Sequence, residues 1–272
     1  MAEIKAADVS KLRKTTGAGM MDCKKALVES DGDFEKAVEI IRKKGQAVAN
    51  KRADREATEG AVLAKVNGNL GAVIVVNCET DFVAKNEDFV GFASSILDLA
   101  LAENPANLDA LKALKLGDKT VEEKVVEQIG IIGEKIDLSF YEKVEAEEVV
   151  PYIHPGNKLA TIVGFTKKVD EQVGKDIAMQ IAAMAPVAVD KDDVSADIIE
   201  KEKEIGREQA LNEGKPEHIV DKIAEGKLNK FFQDNTLLNQ AFTKDSKKTV
   251  KQYLKEADAD VKVTGFVRFS LS

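Results

Sequence analysis

Two stretches of this chain carry the same order of local signals, and that repetition restricts the folds open to it. Ala61 to Val66 and Leu70 to Asn77 are β-type apolar runs. Asn67-Gly68 between them is the strongest short hairpin signal. After Asn86, apolar residues recur at Phe89, Phe92, Ala93, Ile96 and Leu97, which is helical spacing. The pattern then returns. Val149 to Ile153 and Leu159 to Phe165 flank Pro155-Gly156-Asn157, and Val173, Ile177, Ile181 and Met184 mark a helix over Asp170 to Ala185. Hairpin then helix, twice and at similar size, reads as an internal duplication of one α+β unit. Residue identity between the copies is low, so pattern alone carries this reading.

The flanking segments differ in texture. Three short helices are expected before residue 46. The first runs from about Ala6 to Thr15 with Gly17 as its cap, the second covers Met20 to Glu29, and the third starts near Phe34 and stops at Gly45. So small a bundle suits a separable recognition head. Gln46 to Gly60 has no apolar stripe and reads as a linker. Helices near 108–114 and 121–132 follow, the second opened by Thr120 and Glu123 in capping-box spacing, and Ile136, Leu138 and Phe140 alternate as a strand. From Val194 to Lys227 the chain is rich in Glu and Lys, with a thin apolar seam of Ile198, Ile205, Leu211, Ile219 and Ile223. Gly214-Lys215-Pro216 breaks it, so two antiparallel helices forming a small coiled coil are expected. Short helices around Phe231 and Tyr253 lead to a last strand in which Val261, Val263, Val267, Phe269 and Leu271 share a face. The domains expected are a head over 1–55, a core unit over 56–145, a second over 146–193 and 228–272, and the insert over 194–227.

Composition narrows the function classes. The net charge of −8 disfavours general binding to a phosphate backbone. Its distribution is uneven: residues 1–55 hold 13 Lys and Arg against 9 Asp and Glu, a net of +4, and the remainder 27 against 39, a net of −12. A basic head on an acidic body suits docking on an acidic surface, although chance scatter gives the same numbers. Cys23 and Cys78 stand alone, as buried thiols of a reducing compartment do. No apolar run approaches the ~20 residues of a membrane span, and no signal core opens the chain. A soluble, cytoplasmic protein is expected.

Motifs for covalent chemistry are scarce. No phosphate-binding Gly-x-x-x-x-Gly-Lys occurs, and Gly17-Ala18-Gly19 lacks both the preceding strand and the third glycine of a dinucleotide fingerprint. Asp31-Gly32-Asp33 has its glycine in the wrong place for a calcium loop. His154 and His218 are the only histidines, too few for a plain metal or triad site. Binding is the better expectation than catalysis, and neither a cofactor nor a resident metal is called for.

One connection is unusual. Glu79-Thr80-Asp81-Phe82-Val83-Ala84-Lys85 joins strand to helix, where polar residues and glycine are the norm. A ring beside a carboxylate on a loop tip suits insertion into a partner. The same residues also read as a core plug at Phe82 with Asp81 capping the next helix. In the head, Leu12-Arg13 lies near Met20-Met21. Two adjacent methionines cannot both face a helix core, so at least one is expected at the surface, where methionine makes adaptable contacts.

These residues carry a resemblance. Thr16-Gly17-Ala18-Gly19-Met20-Met21-Asp22-Cys23-Lys24-Lys25-Ala26-Leu27 and Asn77-Cys78-Glu79-Thr80-Asp81-Phe82-Val83-Ala84-Lys85 closely resemble the two signature stretches of the bacterial translation elongation factor Ts family. The likeness continues through Gly214-Lys215-Pro216 and Gly265-Phe266-Val267-Arg268-Phe269. It implies a ubiquitin-associated-like helical head, a core of two related α+β subdomains and an inserted coiled-coil hairpin. It also implies guanine-nucleotide exchange on the GTPase elongation factor Tu, acting on its GDP-bound form. By that resemblance Thr80, Asp81, Phe82 and Val83 displace the partner's magnesium. Leu12, Arg13, Met20, Met21 and Lys24 would hold its nucleotide domain, and His154 would touch a distal domain. Some members continue with a C-terminal helical module beyond the equivalent of Phe269. This chain carries only Ser270-Leu271-Ser272 there, so head and loop are expected to supply the grip. Two other readings stay open on the residues alone: an adaptor whose head docks an unrelated protein, and a hydrolase using Glu79 and Asp81 as paired acids.

Overall fold

The computed structural model describes residues 4–271. Met1–Glu3 and Ser272, which the expected head and second core unit include, lie outside the described residues. The chain is α+β, with antiparallel sheets.

Helices α1 (Ala6–Thr16), α2 (Met20–Glu29) and α3 (Phe34–Arg52) enclose a small core of Val9, Leu12, Cys23, Ala26, Leu27 and Ala37. Asp33 caps α3 by accepting the Lys36 amide. Gly45 does not end this helix, contrary to expectation. It sits in the helix interior against Gly130, where a Cβ at 130 would meet the Gly45 Cα at 2.7 Å. Glycine here permits backbone-to-backbone crossing. The turns beyond Gly45 are also not idle, because Val48 and Ala49 pack on the first sheet's core.

Strands β1 (Glu59–Asn67) and β2 (Leu70–Cys78) form the expected hairpin, Asn67 pairing with Leu70. Then come α4 (Asp81–Ala84), α5 (Glu87–Glu103) and α6 (Leu108–Ala113), followed by a two-rung hairpin of β3 (Lys115–Leu116) and β4 (Lys119–Thr120). Helix α7 (Val121–Ile132) starts with the full Thr120–Glu123 capping box, and β5 (Asp137–Glu145) completes a sheet of order β1-β2-β5. Every residue of β2 is buried, because both faces of this central strand are covered. Leu70, Ala72, Ile74, Val76 and Cys78 face the helices, whereas Val73 and Val75 face the second sheet.

That sheet has order β6-β7-β10, from β6 (Glu148–Ile153), β7 (Leu159–Phe165) and, at the end of the chain, β10 (Val263–Ser270). Between β7 and β10 lie α8 (Glu171–Met184), α9 (Ala196–Asn212), α10 (Glu217–Asn235), the short β8 (Ala241–Phe242) and β9 (Asp245–Thr249), and α11 (Val250–Ala257). Val62, Val73, Val75, Val149, Ile162 and Val267 form the layer between the two sheets.

Four expectations fail in instructive ways. Strand β5 is bulged at Ser139, so Leu138 points to the helices but Phe140 points to the inter-sheet layer, where its ring lies 4.6 Å from that of Phe269. Strand β10 is bulged at Thr264, which puts Val261 and Val263 in the α8 core and Val267, Phe269 and Leu271 in the inter-sheet layer. In the α9–α10 hairpin the buried seam is Gly206 and Ala210 against Val220, Ala224 and Leu228, while Ile198, Ile205 and Leu211 stay exposed. Helix α10 also runs on to Asn235, so Phe231 belongs to it and not to a separate short helix.

Candidate functional site

Residues 79–85 leave the buried centre of the first sheet and turn outward at once. Cys78, the last residue of β2, is fully buried, and its Sγ donates to the Thr80 carbonyl at 3.2 Å. Burial, reinforced by the negative charge of Glu134, pushes this thiol up to about 12. Thr80, not Asp81, caps the short helix α4, its hydroxyl oxygen accepting the Val83 amide. Asn86 caps α5 by accepting the Asp88 and Phe89 amides. With both caps assigned elsewhere, Asp81 is free of capping. Phe82 is no core plug: it is 83% exposed, whereas Val83 packs on the first core. A phenyl ring so fully in water forgoes roughly 1.5–3 kcal/mol of burial.

The base of the turn is clamped. Glu134 accepts the amides of Glu79 and Thr80, each at 3.1 Å, and the Thr80 hydroxyl at 2.7 Å. Glu79 receives Arg52 Nη1 on both oxygens at 2.8 and 2.9 Å, Arg55 Nη1 at 3.1 Å, and the Lys135 amide at 2.6 Å. Burial alone would raise the Glu79 carboxyl, but the Lys135 amide and the two guanidinium groups together hold it below the usual range. Asp81 bonds Lys85 Nζ at 2.7 Å. That hydrogen bond holds Asp81 low against slight burial, and the Lys158 charge adds to the effect. The tip therefore presents an exposed ring beside an ionised carboxylate.

Lys158 also pairs with Glu59 Oε2 at 2.9 Å, and Val62 donates its amide to the Asn157 carbonyl at 2.7 Å. The β6–β7 turn is thereby tied to β1. His154 lies in that turn, exposed, with Nδ1 2.9 Å from the Tyr152 hydroxyl.

The sequence comparisons decide the family. A match to the family described as elongation factor TS covers residues 79–272. The chain is 52% identical over 266 residues to elongation factor Ts of Porphyromonas gingivalis, covering 97% of each chain. It is 54% identical over 270 residues to that of Amoebophilus asiaticus, covering 97% of this chain and 98% of the relative. Identity to the Christiangramia forsetii protein of the same name is 51% over 275 residues and the full length of both. The chain belongs to the elongation factor Ts family.

In this elongation factor Ts family member the head residues divide. Met20 and Met21 are 57% and 63% exposed, and Arg13 and Lys24 are exposed with them. Leu12, which the family resemblance also sets against the partner, differs from them. It is fully buried among the three helices, so it can support the surface but cannot touch a partner directly. The head and the loop meet through α3, whose Arg52 holds Glu79. Sequence reasoning missed Glu134 altogether and offered Glu79 only as half of an acid pair. No local signal ties a carboxylate at 134 to amides 54 and 55 residues earlier. Among the described residues, no helix is long and apolar enough to cross a membrane.

Proposed function

We propose that this protein is a translation elongation factor that exchanges guanine nucleotide on elongation factor Tu, binding the GDP-loaded GTPase in the cytoplasm. The single observation that carries the reading is Phe82, held in water beside ionised Asp81 on a clamped turn. GDP in such GTPases is held by backbone groups and by a Mg²⁺ on the phosphates. A ring driven in near that ion, with a carboxylate competing for the groups around it, unseats the metal and weakens the phosphate grip. Thr80 and Val83 fix the wedge from behind.

Arg13, Met20, Met21 and Lys24 would lie on the partner's nucleotide domain, with Leu12 beneath them as support, and His154 would reach a distal domain. The helical head is read as ubiquitin-associated-like, the two sheet units as copies of one another, and α9–α10 as a coiled-coil arm. The function needs no covalent step and no nucleic acid. Because factor and nucleotide weaken each other's binding, linkage makes the effect reciprocal, and incoming GTP expels the factor. The paired-acid reading loses ground because Glu79 and Asp81 address different cations and both stay ionised.

Release of labelled GDP from the loaded partner tests the proposal. The Asp81→Ala/Phe82→Ala double variant should slow stimulated release by about tenfold or more, equivalent to ~1.4 kcal/mol, with an unchanged melting temperature. Wild-type release by that variant would refute it.

A further inference from the structure

The exposed turn is not carried by its own sheet alone. Arg52, the last residue of the head helix α3, places Nη1 on both oxygens of Glu79, and Arg55 adds a third contact. Lys135 joins from the other side, giving its amide to Glu79 and its Nζ to the carbonyls of Ala53 and Arg55 at 2.7 and 2.8 Å. The adjacent Glu134 takes the amides of Glu79 and Thr80. A continuous run of charge-assisted bonds thus leads from the end of α3 to the cap of α4, whose second residue is Phe82. Guanidinium pairs on one carboxylate fix orientation as well as distance. The Glu79 side chain is only 14% exposed and Arg52 is half-buried, so salt screens that pair weakly, and the exposed Arg55 contact is the one salt reaches.

We propose that Glu79, held by Arg52, Arg55 and Glu134, is a latch that sets the aim of the Phe82 turn relative to the head. Docking of the head then delivers the ring already oriented, and the ordering cost is met before the partner is engaged. These are positioning residues, acting through Phe82 and touching no nucleotide themselves. The inference rests on the exchange reading above. With the latch cut, the head still docks but the turn arrives with many orientations. The maximal rate of stimulated release should therefore fall, while the factor concentration giving half of it changes little.

The test uses the full chain carrying Arg52→Ala/Arg55→Ala, with Arg52→Lys/Arg55→Lys as the conservative pair. Hydrogen exchange at the amides of Glu79, Thr80 and Lys135 is read without partner, and labelled-GDP release is read across factor concentrations. The alanine pair should speed exchange at those amides and lower the maximal rate roughly tenfold, with half-saturation moving less than about twofold. The lysine pair should recover part of the rate, since it keeps the charges but not the rigid planar guanidinium groups that hold each nitrogen in place. Should the alanine pair fail to fold, Glu79→Gln, which keeps an acceptor for Lys135, carries the same expectation. Unchanged amide exchange, or a wild-type maximal rate, overturns the latch. If Phe82→Ala itself released GDP at the wild-type rate, the exchange reading would fall first and the latch's role with it. A slow Phe82→Ala beside a fast latch variant removes the latch alone.

Discussion

Gly130 of α7 lies with its backbone directly on Gly45 of α3, so that a Cβ at 130 would come within 2.7 Å of the Gly45 Cα. The obstructing atom is main chain and cannot rotate away. Gly130→Ala should therefore force the helices apart and cost about 1–3 kcal/mol, although alanine is intrinsically the better helix former by roughly 1 kcal/mol. Urea unfolding should show a lower midpoint. A raised midpoint would mean that the joint yields freely.

Thr80 serves two groups, accepting the Val83 amide and donating to Glu134. Thr80→Ala should cost about 1–2 kcal/mol, and Thr80→Ser should restore most of it, because serine supplies the same oxygen. Urea midpoints of the two variants make the comparison.

The Glu79 carboxyl is lower in the folded protein than in the unfolded chain. The unfolded chain then binds the proton more readily, so the stabilisation is complete above the unfolded value of about 4.3 and is lost as pH falls through the folded value. Glu79→Gln should differ most from wild type near neutrality, and the gap should close on acidification below about pH 4. Urea midpoints measured across that range check it. A gap that widens with acid would contradict the assigned ion pairs.

Cys78 combines full burial with a thiol pushed up to about 12, and Cys23 is fully buried as well. Because the thiolate is the reactive form, an aromatic disulfide reagent near pH 8 should label neither cysteine in the native protein. Both should react once denaturant unfolds it.

The parts legible in the sequence are those fixed by local chemistry. Asn67-Gly68, the Thr120–Glu123 box and the helical spacing after Asn86 each determine their own geometry, and all three elements formed where expected. The misreadings have tertiary causes. Gly45 looks like a helix end but is a crossing point, because its partner Gly130 is 85 positions away in sequence. The bulges at Ser139 and Thr264 reverse which face each strand presents, and no residue type there announces an extra position. In the α9–α10 hairpin the larger apolar side chains pointed to the wrong seam, since close packing selected Gly206 and Ala224. At the candidate site Asp81-Phe82 stood out as a ring beside an acid, but those residues alone fit both an inserting tip and a core plug, and only the exposure of Phe82 separates the two. The clamp was not legible, because Arg52, Glu134 and Lys135 reach Glu79 only in three dimensions.

The central claim is that Phe82 acts on the metal beneath the partner's bound diphosphate. Labelled-GDP release measured with wild type and with Phe82→Ala, first in excess Mg²⁺ and then with the ion chelated, addresses it directly. In Mg²⁺ the variant should be slower by about tenfold or more. Once the metal is gone, the ring has nothing left to unseat and the two rates should converge. Equal rates in Mg²⁺, or a gap that persists undiminished under chelation, would contradict the account.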